Sequence, residues 1–376
     1  MRIPFLNLKQ QYEKLKEEIN SVVLKTLESG WYILGKECEI FEQKFKEYLA
    51  GESNGFVIGV NSGTDAIRIS LITAGVKAGD EVITVANTAI PTVSAICSVG
   101  AIPTFCEIDG DTWLIDHKEV KKLITKKTKA IIPVHLYGYC ADMNNICSIA
   151  NEYNLAVIED VAQACGTTYM NKKAGTIGDY GAFSFYPTKN IGACGDGGAI
   201  FVKSETDYEK IKMLRNYGQN SKYYATKENG MNSRLDEIQA AILNVKLAYL
   251  DDWNKLKKEL ALKYINCIDS LNLPLQYQKG YDGVNPAYHL FVVKLKKGNR
   301  NSLINYLALH GIEALIHYPV PLYKQEAFKK YKTDELTVTE SLMKSIISLP
   351  FHQYLGIDEV EYIFETLRAI YYGKSD

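Results

Sequence analysis

Apolar residues along the chain follow two alternating patterns. Residues 8–29 are rich in Lys and Glu, with apolar positions at Leu15, Ile19, Val22 and Val23. That spacing predicts an amphipathic helix ended near Gly30. From about 56 to 202, short apolar runs take over: 56–60, 81–85, 102–105, 130–134 and 155–158. Amphipathic segments such as 64–75 and 142–153 separate several of them. Near-continuous apolar strands alternating with helices predict βαβ units and a mostly parallel sheet covered on both faces. Beyond it, Leu235, Ile238, Ile242, Val245 and Tyr249 recur at three- and four-residue steps, the mark of a helix with one apolar face. Residues 251–270 continue in helical style with many Lys. After about 285 the pattern changes to a strand over 290–295 and helices over 300–310 and 357–372. The expected class is α/β. An N-terminal helix and large domain occupy 1–250, and a smaller α+β domain occupies 251–376, although no Pro/Gly linker marks the boundary.

Charge and composition narrow the class of function. The 376 residues carry 43 Lys+Arg against 44 Asp+Glu, a formal charge of -1. That balance argues against a basic nucleic-acid footprint and against an acidic solvating tail. No apolar run approaches 18 residues and no signal peptide is apparent, so no membrane span is expected. Eight cysteines are scattered without a CxxC pair or a close Cys/His cluster. This excludes a zinc-type spacing and suits reduced thiols in a cytoplasmic protein. Tyrosine is over-represented, with 26 Tyr against 12 Phe and 3 Trp.

Three windows could carry chemistry. In Phe183-Ser-Phe-Tyr-Pro-Thr-Lys189 a strand ends, Pro187 blocks its continuation, and Lys189 follows on a loop before the glycine-rich 192–198. A lysine in that setting loses its proton more readily and can form a Schiff base, although a lone loop lysine is more often solvated. Asp160 follows the strand 155–158, where ligands of open parallel sheets bind. It reads equally as a helix N-cap. In 59–66 a strand turns into a helix start at Ser62, Gly63 and Thr64, whose free N–H groups and hydroxyls suit a phosphate, or simply cap a helix. No P-loop and no dinucleotide fingerprint is present. Together a phosphate cradle, a strand-end Asp and a loop Lys are the groups pyridoxal phosphate requires.

The chain resembles the DegT/DnrJ/EryC1/StrS family of pyridoxal-phosphate-dependent sugar aminotransferases over nearly its whole length. The resemblance rests on Ile3-Pro-Phe-Leu-Asn7, Trp31-Tyr-Ile-Leu-Gly35, Asn61-Ser-Gly-Thr-Asp65, Glu159-Asp-Val-Ala-Gln163, the Lys189 window, Asn232-Ser-Arg-Leu-Asp236 and Ile316-His-Tyr-Pro-Val-Pro321. It implies an aspartate-aminotransferase-like fold. Lys189 would then hold the cofactor and move the α-proton, with Asp160 at the pyridine nitrogen and Gln163 by the phenolic oxygen. Ser62, Gly63, Thr64 and Ser184 would bind the phosphate. Asn232 would reach the cofactor of a second copy in a homodimer with shared sites. One departure stands out: many relatives carry an aromatic residue stacked on the ring in the stretch matching 86–90, where this chain has Ala89.

The same resemblance implies a substrate. The Asn232-Ser-Arg-Leu-Asp236 stretch and Tyr186 are most similar to members acting on dTDP-linked 3-keto-6-deoxyhexoses, with glutamate as donor. Tyr186, His317 and Tyr318 would face the hexose, and Lys222 the pyrophosphate from the partner chain. His135, His289 and Tyr32 read as structural. A 4-amino or UDP-linked sugar, a non-transaminating pyridoxal phosphate enzyme and a regulatory binding protein on the same fold are the alternatives. Products of such enzymes enter surface polysaccharides such as O-antigen lipopolysaccharide, or glycosylated metabolites. Tyrosines recur in stretches expected to face a sugar nucleotide: Tyr32, Tyr137, Tyr186, Tyr217, Tyr223, Tyr224, Tyr318 and Tyr323.

Overall fold

The computed structural model describes residues 1–51, 53–331 and 334–373. Two helices, α1 (Leu8–Ser29) and α2 (Lys36–Ala50), precede an alternating region. That region runs β1 (Phe56–Val60), α3 (Gly63–Thr73), β2 (Glu81–Val85), α4 (Ile90–Ser98), β3 (Ile102–Cys106), α5 (His117–Leu123), β4 (Thr128–Ile131), α6 (Met143–Tyr153) and β5 (Ala156–Asp160). A short ribbon, β6 (Thr168–Tyr169) and β7 (Lys172–Lys173), leads to β8 (Tyr180–Ser184), β9 (Gly198–Val202) and α7 (Glu205–Leu214). An exposed hairpin, β10 (Gln219–Ser221) and β11 (Tyr224–Ala225), is followed by α8 (Glu237–Leu247) and α9 (Leu250–Ser270). The C-terminal part contains β12 (Leu275–Tyr277), β13 (Val284–Asn285), β14 (Phe291–Leu295), α10 (Arg300–Leu309), α11 (Thr337–Ser345), β15 (Ile346–Leu349) and α12 (Ile357–Tyr372).

Seven strands form the main sheet in the order β1-β9-β8-β5-β4-β2-β3. All neighbours pair in parallel except β9, which is antiparallel to β1 and β8. The carboxyl ends of β1, β2, β4, β5 and β8 therefore share one edge of the sheet, and the start of β9 joins them. Apolar clusters cover both faces. On one of them Phe45 packs edge-on to Phe183 and Phe185, with ring centroids 5.1 and 5.5 Å away, clamping the end of β8 against α2. The predicted strand 130–134 is displaced to Thr128–Ile131. Pro133 has no N–H for a ladder, and beyond it the chain touches β5 only through an isolated bridge: Asp160 N–H donates to Pro133 O and His135 N–H to Asp160 O, each at 3.0 Å.

The C-terminal part has its own antiparallel sheet, β12-β14-β15. The first residues cross to it: Ile3 N–H donates to Gly311 O at 2.8 Å, and Glu313 N–H donates to Ile3 O at 3.0 Å. Phe5 then stacks on His317 with centroids 5.5 Å apart. Among the described residues, no helix is long and apolar enough to cross a membrane.

Strand β5 ends on two adjacent carboxylates that point to opposite faces, as the period of a strand requires. Glu159 is fully buried and meets His135 Nε2 at 2.8 Å. It also accepts the N–H groups of Gly175, Ile177 and Gly178 at 2.7–2.8 Å. Burial alone would raise its carboxyl, but His135 and these N–H groups hold it below the usual value. Glu159 thus pins the loop before β8 beneath the strand whose next residue, Asp160, enters the functional edge. Replacing it with Ala is expected to cost about 3 kcal/mol by orphaning buried donors, measured by thermal unfolding. Because the folded carboxyl is depressed, its stabilisation is complete above the unfolded value of about 4.3 and is lost as pH falls through the folded one. The deficit of Glu159→Ala relative to the parent should therefore shrink on acidification.

Candidate active site

At the shared strand edge lies a cavity of about 410 Å³. Its wall combines the β1–α3 turn (Ser62, Gly63, Thr64), the β2–α4 turn (Thr88, Ala89, Thr92), the end of β5 (Asp160, Ala162, Gln163), the end of β8 (Ser184, Tyr186, Lys189) and His289, His317 and Tyr318 from the C-terminal part. The β1–α3 turn is built by close backbone approach. A Cβ on Gly63 would fall 2.7 Å from Ser184 Cβ, and one on Gly198 would fall 2.4 Å from the Ser62 carbonyl carbon. Only glycine lets the three segments meet. Ser62 caps α3, accepting Asp65 N–H on Oγ at 3.2 Å and Ala66 N–H on its carbonyl at 2.9 Å. The N–H groups of Gly63 and Thr64 are left for a ligand at the positive end of the helix. Ser233, fully buried, locks this turn: its Oγ donates to Asp65 at 2.8 Å and accepts Asn61 N–H at 3.1 Å.

Asp160 is 5% exposed. Its Oδ2 accepts the Thr92 hydroxyl at 2.8 Å and its Oδ1 accepts Ala162 N–H at 3.1 Å. Lys189 makes no ion pair among the described residues. Burial pushes its ammonium down to about 8, against the pull of the Asp160 carboxylate. An amine in that range is available uncharged near neutral pH.

The two cavity histidines carry no charge at neutral pH. Burial, with the nearby Lys189 charge, pushes His317 down to about 4 and His289 well below its usual value. His317 Nδ1 meets Ser348 Oγ at 2.9 Å, which leaves Nε2 as its second hydrogen-bonding atom. His317 can therefore offer a ligand a hydrogen bond but not a charge. Gln163 bridges the wall, accepting Tyr137 N–H at 2.8 Å and donating to the Tyr318 hydroxyl at 3.0 Å. Burial raises Tyr318 to about 12, so it stays a neutral phenol.

Ten residues singled out from the sequence line this one cavity: Ser62, Gly63, Thr64, Asp160, Gln163, Ser184, Tyr186, Lys189, His317 and Tyr318. Asn232 and Lys222 do not, and both are exposed. Asn232 directly precedes Ser233 in the segment between β11 and α8, and Lys222 sits at the tip of the β10–β11 hairpin. Ala89 lines the wall as the N-cap of α4 and offers only a methyl group. The tyrosine expectation divides. Tyr186 and Tyr318 face the cavity, whereas Tyr137 is buried behind it and Tyr323 bonds Glu340. Tyr32, Tyr217, Tyr223 and Tyr224 are exposed. The structural expectation for His135 fits its bond to Glu159, but His289 belongs to the cavity wall. Sequence reasoning missed Thr88, Thr92 and Ser233. Pro91 in the first turn of α4 is the signal that could have located the first two.

The residues present fit pyridoxal phosphate. Its aldehyde calls for an amine held partly deprotonated, its pyridinium for a fixed carboxylate, and its phosphate for free N–H groups and hydroxyls at a helix start. Lys189, Asp160 and the Ser62–Gly63–Thr64 turn with Ser184 meet these needs around one cavity.

A model of the DegT/DnrJ/EryC1/StrS aminotransferase family matches residues 13–368. The dTDP-3-amino-3,6-dideoxy-alpha-D-galactopyranose transaminase of Aneurinibacillus thermoaerophilus is 42% identical over 375 residues, covering 98% of this chain and 100% of that protein. The dTDP-3-amino-3,4,6-trideoxy-alpha-D-glucose transaminase of Streptomyces venezuelae is 38% identical over 372 residues, covering 98% of this chain and 96% of that protein. The crystal structure of S. venezuelae DesV in complex with a ketimine intermediate superposes with a TM-score of 0.94 at 38% identity, covering all of both chains. The chain belongs to the DegT/DnrJ/EryC1/StrS aminotransferase family, and its cofactor is pyridoxal phosphate.

Proposed function

We propose that this protein transfers the amino group of L-glutamate to the keto carbon of a dTDP-linked 3-keto-6-deoxyhexose, giving the 3-amino sugar nucleotide. The observation that carries this reading is the single cavity in which Lys189, Asp160 and the Ser62–Thr64 turn meet Tyr186, His317 and Tyr318. The names of the two transaminase relatives support the 3-amino, dTDP-linked assignment. We propose the same boundary as above, near residue 250, between the cofactor-binding domain and the smaller one. The products would enter a surface polysaccharide, such as O-antigen lipopolysaccharide, or a glycosylated metabolite, made in the cytoplasm.

When bound, pyridoxal phosphate supplies an electron sink through which an amino group and a proton pass between two substrates. Lys189 would hold it, Asp160 would face its ring nitrogen, Gln163 its phenolic oxygen, and Ser62, Gly63, Thr64 and Ser184 its phosphate. The Lys189 amine, once free, takes a proton from one carbon and returns it to another. A value near 8 matches that task, because donor and acceptor forms coexist near neutral pH. Tyr186, half exposed at the cavity mouth, offers a ring face to the sugar, and His317 and Tyr318 offer neutral hydrogen bonds.

Asn232, Lys222 and the exposed aromatics Trp31, Tyr217, Tyr223 and Tyr224 support a homodimer in which each copy completes the other's site. Trp31 is 64% and Tyr223 86% exposed, a surface rich in the side chains that interface cores favour.

Three outcomes check this reading. Incubated with glutamate and a panel of nucleotide keto sugars, the enzyme should convert the dTDP-3-keto-6-deoxyhexose and release 2-oxoglutarate with ping-pong kinetics. Amination of only a 4-keto analogue, identified by mass and NMR, would overturn the assignment. In apoprotein, competitive labelling of Lys189 by an amine reagent should titrate near pH 8, and Asp160→Asn should move that midpoint lower, because it removes the charge that raises it. Lys189→Ala should lose about 10²–10⁴-fold in rate or more through proton transfer alone. Mixed with inactive Asn232→Ala protein, it should regain part of its activity if the sites are shared.

A further inference from the structure

Asp160 is held by two donors of different origin. The Ala162 N–H, at 3.1 Å, comes from two residues along the same turn, so it would accompany any Asp at this position. The Thr92 hydroxyl, at 2.8 Å, comes from the first turn of α4, 68 residues away. Thr92 Oγ1 also lies 3.0 Å from Thr88 Oγ1. A hydroxyl has one hydrogen, and Thr92 gives its own to Asp160, because an ionised carboxylate only accepts. The hydrogen between the two threonines must therefore come from Thr88. The chain runs in one direction, Thr88 to Thr92 to Asp160, and each bond polarises the next. Thr88 is 2%, Thr92 1% and Asp160 5% exposed, so bulk water does not compete for these bonds.

We infer that Thr92, backed by Thr88, is a positioning residue that fixes the Asp160 carboxylate against rotation, so that one orientation is presented to the cofactor ring. The inference rests on the reading above that Asp160 faces the ring nitrogen. Ala89, beside Thr88, strengthens it. Where relatives are expected to stack an aromatic side chain on the ring, this chain offers a methyl group. Retention of the cofactor then leans on its edges, and Asp160 is one of the few charged edges available. Thr88, Ala89 and Thr92 all lie at the start of α4, so the segment that lacks a stacking side chain is the one that anchors the carboxylate.

The test uses the full chain loaded with pyridoxal phosphate and reads two signals besides turnover. These are the dissociation constant of the cofactor and the pH midpoint of its visible absorption band. Thr92→Val keeps shape and removes the hydroxyl. It should weaken cofactor binding roughly tenfold or more, the effect of losing a hydrogen bond to a charged group, and it should move the pH midpoint. Thr92→Ser should restore both, and Thr88→Val should shift both in the same direction by less. The inference is overturned if Thr92→Val, folded by circular dichroism, keeps the parent's dissociation constant and midpoint. It is also overturned if Thr92→Ser fails as fully as Thr92→Val, because a retained hydroxyl would then not suffice and the loss could not be assigned to its hydrogen bond. Asp160→Asn separates the two levels. If it leaves both signals unchanged, the placement of Asp160 at the ring fails and this inference with it. If Asp160→Asn changes both and Thr92→Val neither, only the role of Thr92 is lost.

Discussion

A carboxylate and a lysine must share one water-poor cavity without collapsing into an ion pair, and the rest of the site is arranged around that constraint. Asp160 is supplied with a hydroxyl and a backbone N–H, so its oxygens are hydrogen-bonded before any ligand arrives. Among the described residues Lys189 has no such partner, and burial pushes it down to about 8. The asymmetry is useful: one group is fixed in place, and the other is free to gain and lose a proton. Paired directly, the lysine would be held protonated and would serve neither as nucleophile nor as proton carrier.

The sheet is what makes the arrangement possible. Parallel strands deliver their carboxyl ends to one edge, so residues from 62 to 189 converge without long excursions of the chain. The one antiparallel strand, β9, starts at that edge, and its Gly198 permits the Ser62 backbone to sit against it. Beneath the edge, Glu159 holds the loop before β8 from the opposite face of β5. Two neighbouring carboxylates thus do different work because a strand turns them apart: one is spent on structure, and one is kept for a ligand.

This logic was partly legible in the sequence. The runs at 56–60 and 81–85 coincide with β1 and β2, and the helix at 357–372 coincides with α12, because their patterns are short, apolar and well bounded in the first two and strongly amphipathic in the third. The Lys189, Asp160 and Ser62–Thr64 windows were legible because each combines a strand end with a turn. Helix α4 was not. Its residues, Ile90–Ser98, are apolar nearly all round and include β-branched Ile, Thr and Val, so no helical stripe is visible and Thr92 carried no signal. Nor was His289 recognisable, since only the tertiary fold brings the loop before β14 to the cavity. Helix α2 shows no apolar run although Cys38, Phe41, Phe45 and Leu49 form a buried face, because polar residues separate them in sequence.

The near-zero net charge bears on how an anionic sugar nucleotide would be met. His317 cannot supply a positive charge at neutral pH, because burial and the Lys189 charge hold it at about 4. The cavity wall of one copy therefore offers an anion mainly the dipole and N–H groups at the start of α3, which the cofactor phosphate would occupy. Any further phosphate has to be met from outside that wall. Lys222 is exposed at a hairpin tip amid Tyr223 and Tyr224, and its Nζ lies 5.2 Å from the Tyr223 ring centroid. The exposed rings of Tyr223 and Tyr224 beside that cation gain from lying against another surface. Charge neutrality overall and a cation set on a protruding arm are then two sides of one arrangement. In the proposed homodimer the substrate's charge would be matched locally, by the Lys222 side chain that a second copy would bring to the site.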